Sequence, residues 1–458
     1  ARARARPPAS ARDVARVTDG MGASLPSPAA FRCQFAVCVA ALAPLLSLCR
    51  WDVLKRHVQV APIPAEPDAL PPSPPLTFLE MYQHYQQMEP LASLPWTPLI
   101  TCEAPTSPLM ERFDWIIKPP SSFSFEKGCA PVDETAPWMI RRRGSDPKTV
   151  WTTPHGVRRL LAVAAEHFDP RRADRVVMFS GTEYPLSSAF GSTEAERRET
   201  VAQLRRYFGR IVFTVKDVEL EHVHLAPWGM CFGYMMTIIS DLTGNDVQPR
   251  NEYYIRSRLV EFVRMLRGAS LQDKTRGVLA AWGKVASWLE NVTGSVGFLP
   301  WHERMGLHYP QSNSSLRVVE IAAQARRSLK AWALSPKARA AGAEIRNLRP
   351  VEWWYELVRY RFLTCPSGSG IQTAKTIEAL MVLTVPIIMR IDGISRIHNE
   401  LAEIGFPVVL VEKWDEITGN STAAWWKALS PRLESFRRNC LTADAYFRMY
   451  TGQVTRCE

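Results

Sequence analysis

No Cys or His spacing in this sequence resembles a zinc site, although nine residues of each type are present among 458. The cysteines are better read as structural or oxidised. A complete phosphate-binding P-loop is also missing. Ser369-Gly-Ile-Gln-Thr-Ala-Lys375-Thr376 carries Lys and Thr in the right places after a strand, but Ser369 and Ala374 occupy the framing positions where glycines would let a loop wrap phosphates. Aromatic residues are sparse along the basic segment Arg317 to Arg349, so it does not read as a stacking platform for single-stranded nucleic acid. The apolar run Phe35 to Leu48, about fourteen residues, is short for a full membrane span and of the right length for a signal-peptide core.

What is present is ordinary in composition and skewed in charge. A chain with 46% hydrophobic and 22% charged residues is typical of globular domains, and its length leaves room for two or three of them. With 56 basic against 45 acidic side chains it carries +11 at neutral pH. That balance suits acidic partners of several kinds: sugar nucleotides, acidic glycans, a membrane surface or nucleic acid.

The most informative stretch runs from Arg361 to Glu416. Arg361-Phe-Leu-Thr-Cys365 is a short apolar run closed by Pro366-Ser-Gly-Ser-Gly370, and Ile371, Ala374, Ile377 and Met381 follow at helical spacing. Val385 to Met389 reads as a second strand, with Pro386 at its entry, where a missing N–H does least harm to a ladder. Ile394, Ile397, Leu401 and Ile404 line one face of a further helix; Gly405 sits where a helix end wants a left-handed residue, and Val408 to Val411 forms the third strand. Continuous apolar strands between amphipathic helices predict a parallel sheet covered on both faces, a Rossmann-like half. In such a sheet the ligand lies outside the carboxyl ends of the strands, so the loop Pro366 to Gly370 is the expected binding edge. Its glycines allow close backbone approach, and the N–H groups of the following helix favour phosphate. Lys375 and Glu378, three residues apart on one helical face, either form a solvated ion pair or read a nucleotide diphosphate, the cation near the phosphates and the carboxylate on sugar hydroxyls.

These residues carry a resemblance. Arg361-Phe-Leu-Thr-Cys-Pro-Ser-Gly-Ser-Gly370, Lys375-Thr-Ile-Glu-Ala-Leu380, Val385-Pro-Ile-Ile388 and Val411-Glu-Lys-Trp-Asp415, with the helix Val351 to Tyr360 before them, resemble the C-terminal lobe of exostosin-like glycosyltransferases. The resemblance implies an α/β protein of two Rossmann-like lobes (GT-B type) that moves a sugar from a UDP- or GDP-linked donor to a glycan or glycoprotein hydroxyl. It implies donor contacts at Gly368, Ser369, Gly370, Lys375 and Glu378. The leaving diphosphate would then rest on the lysine, the glycine turn and the helix N-terminus, with no metal and no further cofactor required. The chain departs from the family pattern at Ser367 and Lys375, where the family has arginines, and at Ile377, where it has an aromatic. Losing a forked donor weakens diphosphate binding, which keeps a catalytically inactive, glycan-binding or accessory relative as the alternative.

Around this lobe the sequence suggests a layout of 1–32 as a basic segment, 33–50 as a signal peptide or membrane anchor, 51–76 as a stem, 77–250 as an acceptor-side lobe and 251–458 as the nucleotide-sugar lobe. Met21 is a candidate start after the Ala-Arg repeats, and seven prolines between Pro62 and Pro75 make an extended stem. A short anchor with a Pro-rich stem resembles the layout of Golgi type II membrane enzymes; secretion after signal cleavage is the alternative. Asn291, Asn313 and Asn420 head glycosylation sequons. Cys102 with Cys129, and Cys440 with Cys457, are locally plausible disulfides among the fifteen connectivities that six cysteines allow.

In the first lobe a helix is expected over Val157 to Phe168, a strand over Arg175 to Phe179, a Thr193/Glu196 capping box opening the next helix, and a strand over Arg210 to Val215. Periodicity assigns nothing between Leu76 and Val150. Sugar transfer needs a base for the acceptor proton, and the candidates in the loops after those strands are Asp217 and His222, among Glu183, Glu219, Glu221 and His224. The basic stretch Arg317 to Arg349 is either a solvated helix face or a patch for an acidic glycan or donor phosphates. Nucleic acid is not an expected partner.

Overall fold

The structure, a computed structural model, describes residues 94–97, 109–117, 139–172, 174–182, 184–231, 235, 252–281, 313–346, 348, 350–368 and 371–458. The anchor 33–50, the stem 51–76, Met21, Cys102, Cys129, Glu183, Asn291, Ser369 and Gly370 lie outside the described residues. Among the described residues no helix is long and apolar enough to cross a membrane.

Besides a two-stranded parallel pair of Trp96–Thr97 with Met230–Cys231, the described residues form two larger sheets, the first containing β1 (Trp115–Ile117), β2 (Met139–Arg141), β3 (Thr149–Thr152), β4 (Val176–Phe179), β5 (Arg210–Phe213) and β6 (Val223–Leu225) in the order β2-β1-β3-β4-β5-β6. Only the edge pair β1 and β2 is antiparallel. β1, β3 and β4 are buried at every residue, as strands covered on both faces must be. Helix Val157–His167 joins β3 to β4, and helix Glu194–Arg205 precedes β5. The latter opens on a capping box: Glu196 N–H donates to Thr193 Oγ1 at 3.2 Å, and Thr193 N–H to the Glu196 carboxylate at 3.0 Å.

The second sheet holds β7 (Arg276–Ala280), β8 (Ala343–Ile345), β9 (Tyr360–Thr364), β10 (Val385–Met389) and β11 (Val409–Val411), all parallel, in the order β8-β7-β9-β10-β11. Counted within this sheet, the order is 2-1-3-4-5. Pro386 precedes Ile387, the first residue of β10 that pairs with β11, so its missing N–H falls outside that ladder. Helix Pro350–Leu357 leads into β9, helix Ala374–Met381 joins β9 to β10, and helix Ile397–Glu403 joins β10 to β11. Gly405 closes that last helix at φ +109°, and a Cβ there would lie 2.1 Å from the Cys457 carbonyl oxygen. A disulfide joins Cys440 to Cys457.

Both sheets belong to one compact unit, Leu76–Glu458, and the chain ends by binding them together. Helix Gly419–Asn439 packs Trp425 and Trp426 against Phe362 of β9. Helix Ala443–Tyr450 then sends the hydroxyls of Tyr446 and Tyr450 to the carbonyls of Trp228 and Pro227 beyond β6, at 3.1 and 2.8 Å.

Candidate functional site

The carboxyl ends of the two sheets meet. The Gln372 side chain, in the loop after β9, donates to the carbonyls of Thr214 (2.6 Å) and Ala226 (3.0 Å), and accepts from the N–H of Trp228 (2.9 Å). Those three residues follow β5 and β6. Beside it, Lys216, with 4% of its side chain exposed, pairs with Glu219 and with Glu400 on the helix between β10 and β11. Ser395 N–H donates to the Asp217 carbonyl at 3.1 Å. The loops that a parallel sheet offers to ligands therefore face one another across one seam.

On the second sheet the order reverses between β7 and β9, and Lys375 spans that switch point. Its ammonium lies 3.5 Å from the carbonyl oxygen of Ala281, just past β7, and 4.9 Å from the ring centre of Trp353. A long hydrogen bond and a ring contact worth about 0.5–2 kcal/mol compensate weakly for taking an ammonium out of water. Burial lowers its pKa, opposed by Glu378. Glu378 is 5% exposed, accepts from Trp353 Nε1 at 2.9 Å, and has its carboxyl raised by burial against the pull of Lys375. The two residues form no direct ion pair but share one buried environment with the free Cys365, whose thiol burial pushes up to about 12.

The loop itself is strained. Ile371 N–H donates to the Gly368 carbonyl at 3.0 Å, and Ile371 adopts φ +63°, a left-handed conformation that a β-branched residue tolerates poorly. Ser367, 2% exposed, leaves its Oγ without a hydrogen-bond partner, and Thr373 Oγ1 is likewise buried and unpartnered. Thr373 and Cys365 line a small cavity at the seam, closed from the first sheet by Trp228, whose Nε1 is also unpartnered.

The first sheet places its expected residues differently from one another. Asp217 lies at the carboxyl edge, but its Oδ1 accepts from Ser187 N–H at 2.9 Å and its Oδ2 from the Ser187 hydroxyl. Burial is the first cause of its raised pKa. The carboxylate thus anchors the short helix Leu186–Ala189. His222, with 47% of its side chain exposed beside Glu221, immediately precedes Val223, which pairs with Ile211 near the start of β5. It therefore stands at the amino edge of the sheet. The chain crosses the sheet between Lys216 and His222, and the crowding of these groups in sequence does not persist in space.

At the switch point between β1 and β3 sit residues that periodicity does not single out. The turn Pro154–Gly156 follows β3 and holds His155 with its ring centre 4.3 Å from that of Tyr184, which follows β4. Burial lowers His155 to about 4, so it is neutral at pH 7. Thr153, fully buried, has an unpartnered Oγ1. The signal that could have found His155 is Trp151-Thr-Thr-Pro-His-Gly156, a short strand stopped by Pro and Gly. No protein-family model matches the chain, and no curated protein matches it.

Proposed function

We propose that this protein is a glycosyltransferase of GT-B type, moving a sugar from a UDP- or GDP-linked donor to a hydroxyl of a glycan or glycoprotein. The observation that carries the reading is the meeting of two parallel-sheet carboxyl edges, with Lys375 lying across the switch point of the second. The resemblance to exostosin-like transferases at Arg361 to Asp415 supports the same assignment. In the reaction the bond from the anomeric carbon to the diphosphate breaks, the acceptor oxygen bonds to that carbon, and the hydroxyl proton passes to a base. Nucleoside diphosphate leaves. Lys375, the loop at Gly368 and the N-terminus of helix Ala374–Met381 stabilise the departing charge. Glu378 accepts from sugar hydroxyls once it exchanges its bond to Trp353. At the first edge His155, which burial keeps neutral at pH 7, is a candidate proton acceptor alongside Asp217, whose two oxygens accept from Ser187.

The Cys440–Cys457 disulfide supports residence in an oxidising compartment. A Golgi membrane placement through segment 33–50, or secretion, belongs to the same proposal. The accessory, inactive reading draws on a specific observation too: Ser367 occupies the position of an arginine in the resembled family, and Asp217 is committed to Ser187.

The test is thermal stabilisation of the full chain by UDP- and GDP-sugars, repeated with Lys375→Met and Glu378→Gln. A ligand at a hundred times its Kd stabilises by about 2.7 kcal/mol, easily read as a shift in melting. Stabilisation by one nucleotide that both variants abolish, together with sugar transfer to an acceptor, is the expected result. Binding without transfer gives the accessory reading; folded protein that no nucleotide stabilises overturns both.

A further inference from the structure

Of the three glycosylation sequons, Asn420-Ser-Thr422 has all of its side chains among the described residues, at the start of helix Gly419–Asn439. Thr418 caps that helix: its Oγ1 accepts from Ser421 N–H at 3.1 Å, while its own N–H donates to Ser421 Oγ at 2.8 Å. The Thr422 hydroxyl donates to the Thr418 carbonyl at 2.8 Å. The two residues after Asn420 are thus built into the first turn, and Asn420 is not. It is exposed, no hydrogen bond among the described residues holds its amide, and nothing from the rest of the fold stands within 4 Å of a Cβ placed on the adjacent Gly419. Ala423, Ala424 and Lys427, three, four and seven positions on and so on the same face, are exposed as well. Trp425 and Trp426 carry the contact with β9 from the opposite side, so the face that begins at Asn420 looks away from the sheet. Cys440, at the end of the helix, is oxidised to Cys457, and disulfides persist in the compartments where asparagine-linked glycans are added.

We infer that Asn420 carries an asparagine-linked glycan, which covers this open face of helix Gly419–Asn439. The inference rests on the secretory-pathway part of the proposed function and not on the sugar-transfer reading. In the modification the amide nitrogen bonds to the anomeric carbon of a lipid-diphosphate oligosaccharide, and the bond from that carbon to the phosphate oxygen breaks. The lipid diphosphate leaves, and the amide proton passes to a base of the cell's oligosaccharide transferase. That enzyme reads the asparagine together with the hydroxyl two residues on. In the helix the two positions point about 200° apart, and the hydroxyl is spent on backbone carbonyls. Attachment therefore precedes the capping of this helix, and folding then closes the sequon. The finished glycan disturbs no contact of the fold, since it projects from a side chain without partners.

The experiment is mass spectrometry of the full chain produced in secreting animal cells, before and after peptide-N-glycosidase. It is read on the tryptic peptide Trp414 to Lys427, which contains this sequon alone. Wild type is expected to give a glycopeptide that the glycosidase converts to a bare peptide with aspartate in place of the asparagine. Asn420→Gln and Thr422→Val are each expected to lose the glycan completely, the second with the asparagine still present. Occupancy is read whether or not a variant folds, and Asn420→Gln, which removes no contact, is expected to melt with the deglycosylated wild type. A second arm offers microsomal membranes the unmodified chain made in bacteria, either folded with the Cys440–Cys457 bond formed or reduced and unfolded. Only the unfolded chain is expected to accept a glycan; equal modification of the folded chain would overturn the order of events. An unmodified peptide from cells in which Cys440 and Cys457 are joined overturns the inference alone. An unmodified peptide with both thiols reduced overturns it together with the secretory placement.

Discussion

At the switch point of the second sheet stands the buried ammonium of Lys375, whereas at that of the first sheet His155, Tyr184 and Thr153 bring no charge at neutral pH. On the proposed function, the first switch point would meet a neutral hydroxyl and the second an anion. The division follows from chemistry rather than fold, since the two sheets share a reversal of strand order at the corresponding place. The proposed transfer would bring a charged donor and an uncharged acceptor together at this seam, and Gln372 is the side chain that bonds the two edges to each other.

The most severe way to break this pairing is Gln372→Ala. It deletes three hydrogen bonds and strands two carbonyls and the Trp228 N–H at the seam. The expected loss is about 3 kcal/mol in urea unfolding, since each buried group left unpaired costs about 1–3 kcal/mol. A loss under about 0.5 kcal/mol would show that the seam is held by Lys216, Glu400 and Ser395 instead.

The second edge was legible in the sequence because everything that makes it is local. Strand, glycine turn and helix run consecutively from Tyr360 to Met381, so spacing alone brings Lys375 and Glu378 to the turn; the structure starts the helix at Ala374, after the strained Ile371. The first edge was harder. β1, β2 and β3 are three or four residues long, too short to show a period, so His155 had no strand to mark it. Asp217 and His222 lie only five positions apart in sequence, but a strand-to-strand loop spends the residues between them crossing from one edge of the sheet to the other.

A milder test sharpens the neutral character of the first edge. His155 stays neutral in the fold down to about 4, while in the unfolded chain it takes a proton below about 6.5. The unfolded state binds more protons within that window, so the contribution of His155 to stability is intact above pH 6.5 and lost as pH falls toward 4. His224 and His398 are lowered to about 4 as well, so the wild type alone does not isolate His155. The readout is the difference: His155→Gln is expected to flatten the stability slope between pH 6.5 and 4 by up to about 1.4 kcal/mol per pH unit, measured by urea unfolding at several pH values. An unchanged slope would mean that His155 titrates normally and that the first edge becomes cationic in mild acid.

The smallest expected effect discriminates most finely between the two edges. Thr153 and Ser367 are both buried hydroxyls without partners, one at each switch point. Thr153→Val keeps the side chain's shape and removes the orphan oxygen, so the unliganded protein is expected to gain about 1 kcal/mol. Ser367→Ala is expected to gain similarly before ligand is added. The two part company on titration with pyrophosphate, where Ser367→Ala loses affinity and Thr153→Val does not. If Thr153→Val instead weakened pyrophosphate binding, the anion would have to reach across the seam to the first sheet. The assignment of one charged and one neutral edge would then give way to a single shared anion site.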